Sequence, residues 1–181
     1  MLRNKIVLNF LFFVFFSLIH AKKKDQPNIL FIITDQHHAN MLSIAGNPYL
    51  KTHALDGMAK AGIRFTNAYA TNPVCVPSRI SMATGVMPGR FAVFNNGMKA
   101  KIPKKVGENS LGKLIKSGGY DTFYGGKVHM APVLSPLQAG YDEFCKDQRD
   151  ELAETCIEFM TRRRNKPVFA IASFINPHDI C

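Results

Sequence analysis

The chain has 181 residues, 46% of them hydrophobic, with 23 Lys and Arg against 13 Asp and Glu and a formal net charge of +10. About 160 residues after a leader can bury one respectable core. The basic residues are scattered apart from Lys22–Lys24 and Arg162–Arg164; with no aromatic-interleaved basic stripe, no nucleic-acid partner is expected. Cys75, Cys145, Cys156 and Cys181 form no CxxC zinc pattern, and a Cys145–Cys156 pair is open in an oxidising compartment.

Residues 1–21 have the pattern of a secretory signal peptide. Arg3 and Lys5 give a positive start, Ile6–Ile19 is mostly apolar, and Ile19-His20-Ala21 offers a cleavage site. The apolar run is short for a span and is broken by Asn9 and Ser17, so no stable membrane span is expected. Export to the periplasm or the outside follows, and an exported basic protein suits sulfated or carboxylated glycans. Residues 22–27 read as a charged linker to a domain over 22–181.

The run Asn28–Thr34 predicts a strand buried on both faces. Thr52–Ala61 carries Leu55, Met58 and Ala59 at helical spacing and ends at Gly62; Arg64–Ala70 predicts a second strand. A helix near 77–84 follows. Pro77 suits its first turn, where a missing N–H costs nothing, and Gly85 is its stop. Ser110–Lys116 predicts a short helix ended by Gly118-Gly119, and Tyr120–Tyr124 the next strand. Glu151–Arg163 places Leu152, Cys156, Phe159 and Met160 on one helical stripe, and Pro167–Phe174 reads as a final buried strand.

Alternating strands and helices predict an α/β domain, three layers deep, with a mainly parallel sheet. In such sheets ligands collect beyond the carboxyl ends of the strands. Four chemically interesting groups each follow or end a predicted element there: Asp35, Cys75, Lys127 with His129, and His178. Cys75 would sit at a helix N-terminus, where free N–H groups and the helix dipole favour an anion. Arg79 within that turn could hold an oxyanion through its planar fork. Asp35 is placed to offer oxygen to a hard divalent cation. The adjacent His37 and His38 invite a zinc site, but neighbouring histidines rarely both reach one ion.

Cys75-Val76-Pro77-Ser78-Arg79, with Thr84-Gly85 after it, resembles the sulfatase signature, in which the cysteine is oxidised to formylglycine. Gly126-Lys127-Val128-His129 resembles the family's Gly-Lys-x-His element, and Ser173–His178 resembles the element whose histidine meets the sulfate or the leaving oxygen. Asp35 stands where many members carry an acidic pair that binds calcium; here Gln36 replaces the second acid. Phe91-Ala92-Val93 departs from the usual His-Gly pattern, so no role falls on the turn at Asn95-Asn96-Gly97.

The resemblance implies an alkaline-phosphatase-like α/β fold and a sulfuric ester hydrolase acting through formylglycine at Cys75. Its partners would be a sulfated small molecule or glycan and a formylglycine-generating enzyme. It implies catalytic roles for Cys75, Arg79 and His129, sulfate binding by Lys127 and His178, and a calcium site at Asp35, Gln36 and residue 75. Hydrated formylglycine would supply one hydroxyl to attack sulfur and a second whose deprotonation expels sulfate. The rival expectations are a phosphonate or phosphodiester hydrolase of the same superfamily and a non-catalytic chain. The abrupt stop after a strand-like run reads as truncation, which leaves the later metal ligands and a sulfate-binding lysine unassigned.

Overall fold

The structure, a computed structural model, describes residues 26–97 and 100–180. The signal peptide expected over 1–21 and Cys181 lie outside the described residues. Four strands, β1 (Ile29–Asp35), β2 (Asp121–Gly126), β3 (Glu143–Cys145) and β4 (Val168–Pro177), pair in the order β1-β4-β2-β3. Every neighbouring pair is parallel. Parallel pairing requires crossover connections. Among the described residues, four α-helices lie between β1 and β2: α1 (His53–Ala61), α2 (Cys75–Thr84), α3 (Lys104–Glu108) and α4 (Leu111–Ser117). A fifth, α5 (Leu152–Thr161), lies between β3 and β4.

The alternation along β4 builds the layers. Val168, Ala170 and Ala172 enter one core with Phe123 of β2 and with Cys156 and Phe159 of α5. Phe169 and Ile171 enter the other, with Tyr120, Tyr124 and Tyr141, against which Leu111 and Ile115 of α4 pack. Because successive side chains of a strand point to opposite faces, one period-two run feeds two cores. The result is a three-layer α/β arrangement. A third cluster, Val76, Ile80, Val93 and Leu134, seats α2.

Two expectations change. Residues 64–70 form no strand, and Phe65 and Tyr69 are 77% and 89% exposed. Their β-forming residues find no ladder partner, and β propensity without a partner does not make a strand. Strand β1 exists but is not buried on both faces. It pairs only with β4 at the edge of the described sheet, and Leu30, Phe31 and Ile32 are each about two-fifths exposed. Cys145 and Cys156 stand as free thiols, the latter inside the core beside β4. Helix α3 and strand β3 have no counterpart in the sequence reading. Among the described residues, no helix is long and apolar enough to cross a membrane.

The parallel sheet explains the position of the site. Strand β1 ends at Asp35, β2 ends one residue before Lys127, and β4 ends one residue before His178. Parallel strands put these three ends on the same edge.

Candidate active site

Helix α2 starts at Cys75, so the thiol stands on its first turn rather than just ahead of it. Val74, the cap residue, is extended and offers no side-chain bond. The side chain of Asn96 serves instead, its Oδ1 accepting the Val76 N–H at 3.0 Å. Pro77 occupies the third helical position, where the absent N–H leaves nothing unsatisfied. Gly85 ends the helix in the left-handed region at φ 67, its N–H bonding Ser81 O at 2.8 Å.

Asp35 is the hub. Its Oδ2 accepts Arg79 Nη2 and Lys127 Nζ, each at 2.8 Å, while Oδ1 lies 3.5 Å from Cys75 Sγ, the thiol donating. Lys127 Nζ is 3.9 Å from the same sulfur. All three charged side chains are buried. Burial alone would push the Asp35 carboxyl up. The hydrogen bonds and positive charges of Lys127 and Arg79 outweigh it and hold the carboxyl below its ordinary value.

Arg79 borders the cleft, but both of its terminal nitrogens are already engaged. Nη2 is on Asp35, and Nη1 donates to Lys127 O at 2.6 Å and to Ser173 Oγ at 2.8 Å. Its guanidinium braces α2 against β1, β2 and β4, a use set by burial rather than by the first-turn position that suggested oxyanion binding.

An open cleft of about 380 Å³ faces Cys75. Asp35, Gln36, Asn96 and His178 line it. Gln36 has φ 57, an uncommon conformation for a non-glycine residue, at the point where β1 gives way to the loop. His178 opens a short turn over 178–180 that Asp179 ties to Arg149 at 2.7 Å. Potential ligand atoms of Asp35, Cys75 and His178 lie within 4.8 Å of one another.

His129 is placed otherwise than expected. The resemblance implies a catalytic role, but His129 has φ 40 and is exposed, with no hydrogen bond to Cys75. Partial desolvation, and next to it the charges of Lys127 and Arg79, still push its pKa down. It therefore stands at the rim, within reach of the site's field. His37 is fully engaged in its loop: Nε2 donates to Met41 O at 2.9 Å and Nδ1 accepts from Thr34 Oγ1 at 3.2 Å. His38 Nδ1 accepts the Asn40 N–H. Neither forms part of a zinc site.

Three residues of the site escaped the sequence reading: Asn96, Tyr124 and Ser173. Asn96 carried a signal, because an asparagine turn can supply a cap to a distant helix. Tyr124 sits inside a strand run and gave none, and Ser173 opens the Ser173–His178 element, whose resemblance assigns a role only to the histidine.

The parallel α/β sheet thus collects a helix-seated cysteine, a buried carboxylate and two cations at its carboxyl edge, a set able to receive an anion. The Sulfatase family model matches residues 27–181, and the chain belongs to that family. It is 40% identical over 105 residues to the ulvan-active sulfatase of Formosa agariphila, covering 58% of this chain and 20% of that protein. It is 34% identical over 129 residues to human N-acetylgalactosamine-6-sulfatase, covering 65% of this chain and 25% of that protein. The matches thus span a fifth to a quarter of these relatives' lengths. The solved structure of BT4656 in complex with its substrate D-glucosamine-2-N,6-O-disulfate superposes with a TM-score of 0.72 at 26% identity. It covers 85% of this chain and 35% of that one.

Proposed function

We propose that the protein hydrolyses sulfate monoesters of a glycan, with residue 75 acting as formylglycine. The observation that carries this is the placement of Cys75 on the first turn of α2, with Lys127 Nζ at 3.9 Å and Asp35 Oδ1 at 3.5 Å. The hydrated aldehyde supplies a geminal diol, one hydroxyl to attack sulfur and one whose deprotonation releases sulfate. Lys127, helped by the positive end of the α2 dipole, draws the sulfate oxygens toward residue 75. His178, with a ring nitrogen within 4.8 Å of the Cys75 sulfur, gives a proton to the departing alcohol in this reading. Asn96, fixed through Oδ1, keeps the helix entrance in register.

The donor set fits half of a hard-cation site. Asp35 Oδ2 is committed to Lys127 and Arg79, which leaves Oδ1 and the Gln36 side chain bordering the cleft. Calcium there would neutralise charge on the sulfate oxygens. The glycan assignment rests on the relatives, an ulvan-active sulfatase and an N-acetylgalactosamine-6-sulfatase among them, and on the excess of basic over acidic residues.

Protein made together with a formylglycine-generating enzyme should show a peptide around residue 75 lighter by about 18 Da, as thiol becomes aldehyde. It should turn over an aryl sulfate faster than an aryl phosphonate. Cys75→Ala should lower kcat by at least about 10³-fold, the scale of losing a covalent nucleophile. Faster turnover of the phosphonate, or a Cys75→Ala protein of undiminished activity, sinks the reading.

Export is the companion proposal, supported by Arg3, Lys5, the apolar stretch and Ala21. Amino-terminal sequencing of the exported protein should begin near Lys22. Recovery of Met1 in a cytoplasmic fraction refutes it.

A further inference from the structure

The main-chain carbonyl of Lys127 accepts three hydrogen bonds: Arg79 Nη1 at 2.6 Å, Tyr124 Oη at 2.8 Å and Ser173 Oγ at 2.9 Å. A carbonyl oxygen has two lone pairs, so three donors saturate it. Each donor is anchored on a different part of the site. Arg79 lies on α2 one turn beyond Cys75, with its other terminal nitrogen on Asp35. Ser173 lies on β4, upstream of His178, and accepts from Arg79 Nη1. Tyr124 lies on β2, three residues before Lys127. All three are buried, so the bonds act in a medium of low dielectric where they are strong and costly to break. Burial also pushes the Tyr124 phenol up, which keeps it a donor over the working range of pH.

Lys127 needs such an anchor. It leaves the sheet just after Gly126, and its last ladder bond is its own N–H to Ser173 O at 2.8 Å. Beyond it, Val128 and His129 belong to no regular element. A lysine ammonium sits on a flexible four-carbon stem, so its position depends on how firmly the stem's base is held. We propose that Tyr124 and Ser173 are positioning residues: through the Lys127 carbonyl they hold the Lys127 ammonium against residue 75 and Asp35. The kinetic consequence rests on the sulfate-ester reading above; the positional one does not.

The two consequences are tested separately. In the unconverted protein, Lys127 should be acylated slowly by an amine-reactive reagent, and the exposed Lys104 and Lys105 rapidly, as mass spectrometry of each peptide reports. Tyr124→Phe and Ser173→Ala each remove one of three donors and should raise labelling at Lys127 about tenfold while Lys104 and Lys105 keep their rates. In the converted protein each should lower kcat on an aryl sulfate about tenfold, with KM within about twofold, a fraction of the roughly hundredfold loss that a 1 Å misplacement brings. Tyr124→Phe should add no further loss in a Lys127→Ala background, because it acts through that residue.

Unchanged labelling at Lys127 in both variants overturns the proposal. So does a uniform rise at every lysine, which marks a merely structural role, and so do losses that multiply in the double variant. If the unmutated, converted protein turns over no sulfate ester, the functional reading fails, and the labelling still decides the positional claim.

Discussion

Replacing Gly126 with alanine is expected to deprive the protein of its fold. Gly126 closes β2 at φ +91, in register with Ser173 of β4. A Cβ there would lie 2.0 Å from the Ser173 carbonyl oxygen, 2.7 Å from its carbon and 2.9 Å from Leu152 Cδ2. Two of those atoms are backbone in the middle of the sheet, so relief requires β2 and β4 to part. The positive φ adds about 1–3 kcal/mol for a residue with a side chain, and overpacking adds about 1–3 kcal/mol or more. Together they consume much of a total stability of about 5–15 kcal/mol. Soluble yield should collapse, or the thermal midpoint should fall by more than about 10 °C. Gly57→Ala is the control. It lies in α1 with nothing within 4 Å of the added carbon, and should hold or slightly raise the midpoint. A Gly126→Ala protein that melts with the unmutated one would contradict the close approach of these strands.

The strands and helices that the sequence disclosed are those long enough to show a period. Residues 168–174 alternate between two cores, and Leu152, Cys156 and Phe159 return at helical spacing, so both elements were legible. Strand β3 has three residues and α3 has five, too few for any period to stand out. Residues 64–70 failed in the opposite sense: Phe65, Thr66 and Tyr69 favour a strand, but pairing is a property of the sheet and not of the segment.

The site divides in the same way. Asp35, Cys75, Lys127 and His178 could be read because each stands at the end of an element, where chain order alone fixes the neighbourhood. The role of Arg79 could not, since its partners Asp35, Lys127 and Ser173 come from three other segments. His129 is not fixed by chain order in this way, because its own left-handed backbone decides where the ring goes and leaves it exposed.

Asp35→Ala should give the largest loss at the site itself. Its carboxylate is the shared counter-ion of Arg79 and Lys127, and the three side chains are at most 10% exposed. Removing it leaves two buried cations facing each other without compensation, and breaking a buried pair in this way costs about 3–5 kcal/mol. Sulfate-ester turnover should vanish with it, because Lys127 loses the group that aims it. Most of the penalty arises from the stranded cations, so Arg79→Ala combined with Asp35→Ala should be less destabilised than the sum of the single variants. The pH dependence follows from the lowered carboxyl pKa. The native state binds fewer protons than the unfolded chain between the folded value and about 3.8, so stability from this group is complete above that range and is lost as the pH falls through it. Unfolding by urea at pH 7 and at steps below pH 4 should therefore show the unmutated protein weakening in acid more steeply than Asp35→Asn, which starts lower and has no such proton to gain. Equal stability of the two proteins at pH 7, or parallel acid slopes, would mean that the carboxylate does not hold the two cations in place.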